Sequence, residues 1–89
     1  MTYRIELTPR AERDFKSLDG SVRGRIARRI ESLGKNPYPQ GIKKIEGEEE
    51  LYRLRVGDYR ILYQVKRSIL LVLILGIGHG RDIYRRIGS

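Results

Sequence analysis

The sequence predicts a single α/β (α+β) domain over residues 1–89, ordered β-α-α-β-β-β with a short C-terminal piece and two helices packed on one sheet face. Three patterns predict it. Apolar residues alternate with polar ones in "TYRIEL" and again in "LYRLRVGDYRILYQV", the period of half-buried strands. Between them, apolar residues recur at helical spacing in two consecutive stretches. After them comes "ILLVLILGIG", a β-branched-rich run bounded by turn residues, which reads as a strand buried on both faces.

In "TYRIEL", Tyr3, Ile5 and Leu7 oppose Arg4 and Glu6. Thr8 is a helix N-cap candidate, with Pro9 at the first helical position. Ala11, Phe15 and Leu18 then share one helix face, and Asp19-Gly20 breaks that helix. Ser21 can cap a second helix, whose apolar stripe is Val22, Ile26, Ile30 and Leu33, with Arg25, Arg28 and Arg29 opposite. Gly34 is placed to stop it. The two stripes need a sheet to cover, which predicts an αα-hairpin across one sheet face. Lys35 to Glu50 reads as loop, with two prolines, two glycines and charge runs of both signs. Glu48, Glu49 and Glu50 are expected to be solvated, steering the basic loop that holds Lys43 and Lys44. The last strand is expected from Ile69 to about Ile77, after a turn at Lys66-Arg67-Ser68.

Gly57-Asp58 suits a tight type II′ turn, because Gly comes first in a two-residue connection. That turn pairs Val56 with Tyr59, Arg55 with Arg60, Leu54 with Ile61 and Arg53 with Leu62. Tyr52, Leu54, Val56, Tyr59, Ile61, Tyr63 and Val65 then face a core, while Arg53, Arg55 and Arg60 share the other face. Like charges directly opposite destabilise a sheet. Either water screens them on a solvated face, or they form a preformed site for a polyanion, most simply phosphate, whose charge relieves the repulsion.

The chain carries 19 Lys+Arg against 11 Asp+Glu, a net charge of +8, which points to nucleic acid, an anionic surface or an acidic protein partner. With no cysteine, neither a disulfide framework nor a thiolate metal site is available. "MTYRIELTPR" has no apolar core of a secretory signal, and the longest apolar run is too short to span a bilayer. The expectation is a soluble cytoplasmic protein, with no cofactor, no metal and no membrane partner.

The element order, "IKKIEGEEELYRLRVGDYRILYQV" and the closing "ILGIGHGRDIYRRI" resemble the RelE/ParE superfamily of toxins from type II toxin–antitoxin systems. The resemblance covers nearly the whole chain. It implies a compact domain with an antiparallel-rich sheet and two helices on one side, and an acidic cognate antitoxin as partner. For the RelE branch it implies an endoribonuclease that cuts mRNA in the ribosomal A site; the ParE branch keeps the fold and poisons DNA gyrase. On the RelE-like reading, Arg53 and Arg55 take the basic positions of the first hairpin strand, Arg60 matches the arginine of "G-x-Y-R", and Tyr84 matches the C-terminal tyrosine. Lys43, Lys44, His79 and Arg81 complete the expected RNA-binding set. Two departures stand out: Gly80 follows His79 where many relatives have arginine, and Arg55 stands where a lysine could donate a proton.

RNA cleavage without a metal uses the ribose 2′-OH against its own 3′-phosphate. It needs a base, an acid for the departing 5′-oxygen, and cations for charge growing on the phosphoryl oxygens. The arginines supply the cations. For proton transfer the candidates are few. His79 is either structural or in contact with the chemistry, Tyr84 either acts on the nucleotide or pins the tail to the core, and Lys43 and Lys44 either contact phosphate or lie in solvent.

Overall fold

The computed structural model describes residues 2–80. Its elements are β1 (Arg4–Leu7), α1 (Pro9–Lys16), α2 (Gly20–Lys35), β2 (Lys43–Lys44), β3 (Leu51–Val56), β4 (Tyr59–Lys66), a 3-10 turn (Arg67–Ile69) and β5 (Leu71–His79). They form a five-stranded mixed sheet in the order β1-β5-β4-β3-β2, with β1 parallel to β5 and every other pair antiparallel. Both helices lie on one face. Ala11, Ile26, Ile30 and Leu33 meet Leu54, Val56, Ile61, Tyr63, Val65, Val72, Ile74 and Ile77 in one core. Among the described residues no helix is long and apolar enough to cross a membrane.

Thr8 caps α1 as expected: its hydroxyl oxygen accepts from the Ala11 amide at 3.1 Å. The same residue helps close the sheet. β1 ends at Leu7, opposite Ile74, so the rest of β5 has no strand beside it on that edge. The Thr8 hydroxyl donates to the Leu75 carbonyl at 3.2 Å, and the Ile77 amide donates to an Asp14 carboxylate oxygen at 3.0 Å. Helix α1 thus satisfies backbone groups that would otherwise lack partners.

Several local expectations are corrected. The segment from Lys35 to Glu50 is not all loop: α2 runs through Lys35, and Lys43–Lys44 adds a fifth strand beside β3. A two-residue strand of lysines carries no alternation to read. Gly34 does not end its helix; Asn36 does. Gly34 instead lets α2 touch β1, since its carbonyl accepts from the Tyr3 amide at 2.7 Å and a Cβ there would lie 3.1 Å from the Tyr3 carbonyl oxygen. Asp19, rather than Ser21, occupies the α2 N-cap position, without a side-chain capping bond. β5 starts two residues later than expected, because the 3-10 turn ends at Leu70 with φ +52°, leaving Ile69 exposed.

Candidate functional site

The hairpin has the expected register throughout: Val56 pairs Tyr59, Arg55 pairs Arg60, Leu54 pairs Ile61 and Arg53 pairs Leu62. Gly57 has φ +62°, and Asp58 is not in the left-handed region, as a type II′ turn requires. The turn is tied to the end of β5 by the Gly80 amide, which donates to the Asp58 carbonyl at 3.1 Å. Leu54, Val56, Ile61, Tyr63 and Val65 are buried against the helices. Strand alternation therefore sends Arg53, Arg55 and Arg60 to the opposite face.

Strand β2 adds to that face. Lys43 stands opposite Arg53 and so joins the arginines, whereas Lys44 stands opposite Tyr52 and points to the other side. Arg60 is half-buried beside Gly78, which presents no side chain, and its Nη1 lies 3.9 Å from where a Cβ of Gly80 would sit. Arg53 is also half-buried, while Arg55 is exposed and turned back along the hairpin, its Nε donating to the Gly57 carbonyl at 3.0 Å. His79 is not with them. It stands opposite Tyr59, with the rings edge to face at 5.1 Å, on the side of the sheet that carries the helices. Arg81 and Tyr84 lie outside the described residues.

Glu50 departs from the expectation for its run: Glu48 and Glu49 are exposed, but Glu50 is half-buried and paired. Its Oε2 accepts from the hydroxyls of Tyr38 at 3.0 Å and Tyr52 at 3.2 Å, and its Oε1 pairs with Arg67 at 3.2 Å. Its backbone is left-handed, φ +53°. Tyr38 packs edge to face on Tyr52, which in turn packs on Tyr63, whose hydroxyl donates to the Pro37 carbonyl at 2.7 Å. Burial and the hydrogen bond to Glu50 push the Tyr38 hydroxyl up to about 12 and raise that of Tyr52; burial raises that of Tyr63. These tyrosines stay protonated near neutral pH. They tie the connection before β2, and the one after it, to β3 and β4, which holds Lys43 beside Arg53. Nothing in a run of three glutamates marks the third as the anchor.

The described site is thus a sheet face bearing Arg53, Arg60 and Lys43, with Arg55 at its edge and turned back toward the hairpin tip. It can bind a phosphate and stabilise charge that develops on it. Lys43 is the one side chain paired directly with these arginines that can hand over a proton.

A small basic α+β domain with an arginine-rich hairpin face is a class with known members. Residues 5–84 match the family described as the ParE toxin of type II toxin–antitoxin systems, parDE. The chain is 36% identical over 76 residues to toxin RelE3 of Methanocaldococcus jannaschii, covering 81% of this chain and 84% of that one. It is 25% identical over 80 residues to the mRNA interferase toxin RelE of Escherichia coli, covering 88% and 83%. Its structure is similar to that of the archaeal RelE in a RelE–RelB complex from Pyrococcus horikoshii, with a TM-score of 0.80 and 29% identity, covering 92% of this chain and 99% of that one. The chain belongs to the ParE toxin family of type II toxin–antitoxin systems.

Proposed function

We propose that this toxin is a RelE-like, ribosome-dependent mRNA interferase of the cytoplasm, held inactive by an acidic cognate antitoxin. The observation that carries this reading is the Arg55–Arg60 pair, directly opposed across the hairpin with Arg53 and Lys43 alongside. Such a concentration of charge is unfavourable in the empty protein and favourable once a phosphodiester occupies it. The relatives named RelE toxin and mRNA interferase, and the similarity to a RelE bound to RelB, support the same reading.

In this reading the ribose 2′-hydroxyl gives up its proton to solvent water as its oxygen attacks the adjacent 3′-phosphorus, the P–O5′ bond breaks, and the 5′-oxygen leaves with a proton, giving a 2′,3′-cyclic phosphate and a 5′-hydroxyl. Arg53, Arg55 and Arg60 neutralise the charge gathering on the phosphoryl oxygens. Lys43 is placed to supply the proton, a role that arginine performs poorly. Tyr84 and Arg81 act on or near the reacting nucleotide, Tyr84 chiefly by stacking on a base. Lys44 and His79 contribute to RNA contact from the other side of the sheet. The ribosome supplies the remaining help by holding the mRNA in a reactive geometry, a contribution of several kcal/mol.

The match to a ParE toxin family favours one rival, a gyrase inhibitor that acts by protein binding without catalysis. Purified toxin added to a translating extract, and separately to gyrase with supercoiled DNA, distinguishes the two. Cleaved message with intact DNA is the expected result. Gyrase-dependent DNA breakage with intact message would overturn the interferase reading.

A further inference from the structure

Helix α2 carries Arg25, Arg28 and Arg29 at positions i, i+3 and i+4, which places them on one side of the helix. They meet the hairpin at its tip. Together with Arg55, Val56 and Gly57 they line a cavity of about 340 Å³, in the lower range of ligand-sized clefts. Gly57 lets Arg25 come close. A Cβ on Gly57 would lie 3.0 Å from a terminal nitrogen of Arg25. Arg25 therefore lies directly against the backbone of the turn. Among the described residues no carboxylate pairs with Arg25, Arg28 or Arg29. Four arginines from two elements line one cleft, and no carboxylate lines it among the described residues.

The geometry points to a second phosphate-binding site, formed by Arg25, Arg28 and Arg29 of α2 and bordered by Arg55, that holds the RNA backbone next to the scissile position. The inference rests on the reading of this chain as a toxin directed at RNA. Arg55 joins the two surfaces: its strand position belongs to the hairpin face, and its guanidinium, fixed by the bond to the Gly57 carbonyl, lines the α2 cleft. A strand held at Arg60 can thus continue past the tip to α2. Among the described residues the lining side chains offer planar donor forks suited to phosphate and no aromatic ring to stack on a base. Binding there is expected to be independent of sequence and strongly dependent on salt. The phosphates come either from the cleaved strand or from ribosomal RNA.

The test measures affinity against salt concentration for the wild type and for the triple variant Arg25→Gln, Arg28→Gln, Arg29→Gln. The probes are purified ribosomes, a short labelled oligouridylate, and poly-L-glutamate as an acidic chain. Arg29 is half-buried, so Arg25→Gln with Arg28→Gln, both at exposed positions, serves as a second variant that keeps the fold. Affinity is expected to fall about tenfold or more, with the log–log salt slope flatter by about 2 in the triple variant. Loss on ribosomes alone assigns ribosomal RNA; loss on the oligouridylate, with or without ribosomes, assigns the cleaved strand. Unchanged affinity and slope for both RNA probes would overturn the inference, as would loss confined to poly-L-glutamate, which would assign the cleft to an acidic protein. A wild type that binds RNA through Arg60 while the α2 variants bind equally well defeats this inference alone. A wild type that neither cleaves nor binds RNA defeats the functional reading with it.

Discussion

Replacing Glu50 separates two effects that oppose each other at one residue. Glu50→Ala removes the acceptor of the Tyr38 and Tyr52 hydroxyls and the partner of Arg67, but keeps the left-handed backbone at φ +53°. Hydrogen bonds to a charged group are worth about 1.5–3 kcal/mol when sheltered. Tyr38 is 39% exposed, and the Arg67 side chain is 67% exposed, so water replaces much of what those two lose. With most of the effect at Tyr52, the total is about 2 kcal/mol. Glu50→Gly loses the same contacts but escapes the left-handed penalty of about 1–2 kcal/mol, so its net cost is about 1 kcal/mol. For a domain of this size, about 4–8 °C accompanies each kcal/mol. Thermal unfolding followed by circular dichroism should therefore show Tm lower by about 10 °C for Ala and about 5 °C for Gly. Equal losses would refute the assignment of strain to Glu50, and no loss in either would refute its role as the anchor.

The other predictions concern packing, titration and the tail. Gly34→Ala gains about 1 kcal/mol of helix propensity but forces a Cβ to within 3.1 Å of the Tyr3 carbonyl oxygen, a clash of about 1–3 kcal/mol. The urea midpoint should fall, and a rise would show that α2 and β1 can part freely. The Tyr38 hydroxyl, pushed up to about 12, and that of Tyr52, also raised, release their protons later folded than unfolded. The stability they contribute is complete below about pH 10 and is lost as pH rises from there through the folded values. The drop in urea midpoint between pH 9 and 11 should shrink when both become Phe; an unchanged drop would contradict their raised values. For Tyr84, single-turnover cleavage on programmed ribosomes should fall modestly for Phe, and by the equivalent of about 1–3 kcal/mol for Ala, if the ring stacks on a base. Equal losses would instead assign a proton-transfer role.

The hairpin could be read from the chain because three signals agreed. Alternation fixed the faces, Gly57 fixed the turn, and a two-residue turn leaves one register. The core stripes of α1 and α2 were readable for the same reason, since burial imposes the helical period. What the chain hid depends on tertiary contact. Lys43–Lys44 becomes a strand only because β3 is there to pair with it, and that pairing alone moves Lys43 onto the arginine face. Gly34 looks like a helix stop until β1 is seen against it. Arg25, Arg28 and Arg29 look like a solvated helix face, and only the approach of α2 to the hairpin tip turns them into the wall of a cleft. Whether His79 touched the chemistry was open from the chain alone; strand parity puts it opposite Tyr59, on the side of the sheet that carries the helices.

Single-turnover mRNA cleavage by Arg60→Ala on programmed ribosomes, paired with its thermal melt, tests the arginine face most directly. Arg60 opposes Arg55, so its loss relieves repulsion, and Tm should be unchanged or slightly raised. Cleavage should slow by at least about 10²–10³, the usual consequence of deleting one group that stabilises transition-state charge. A folded Arg60→Ala protein that cleaves at the wild-type rate would contradict the assignment of this face to the scissile phosphate.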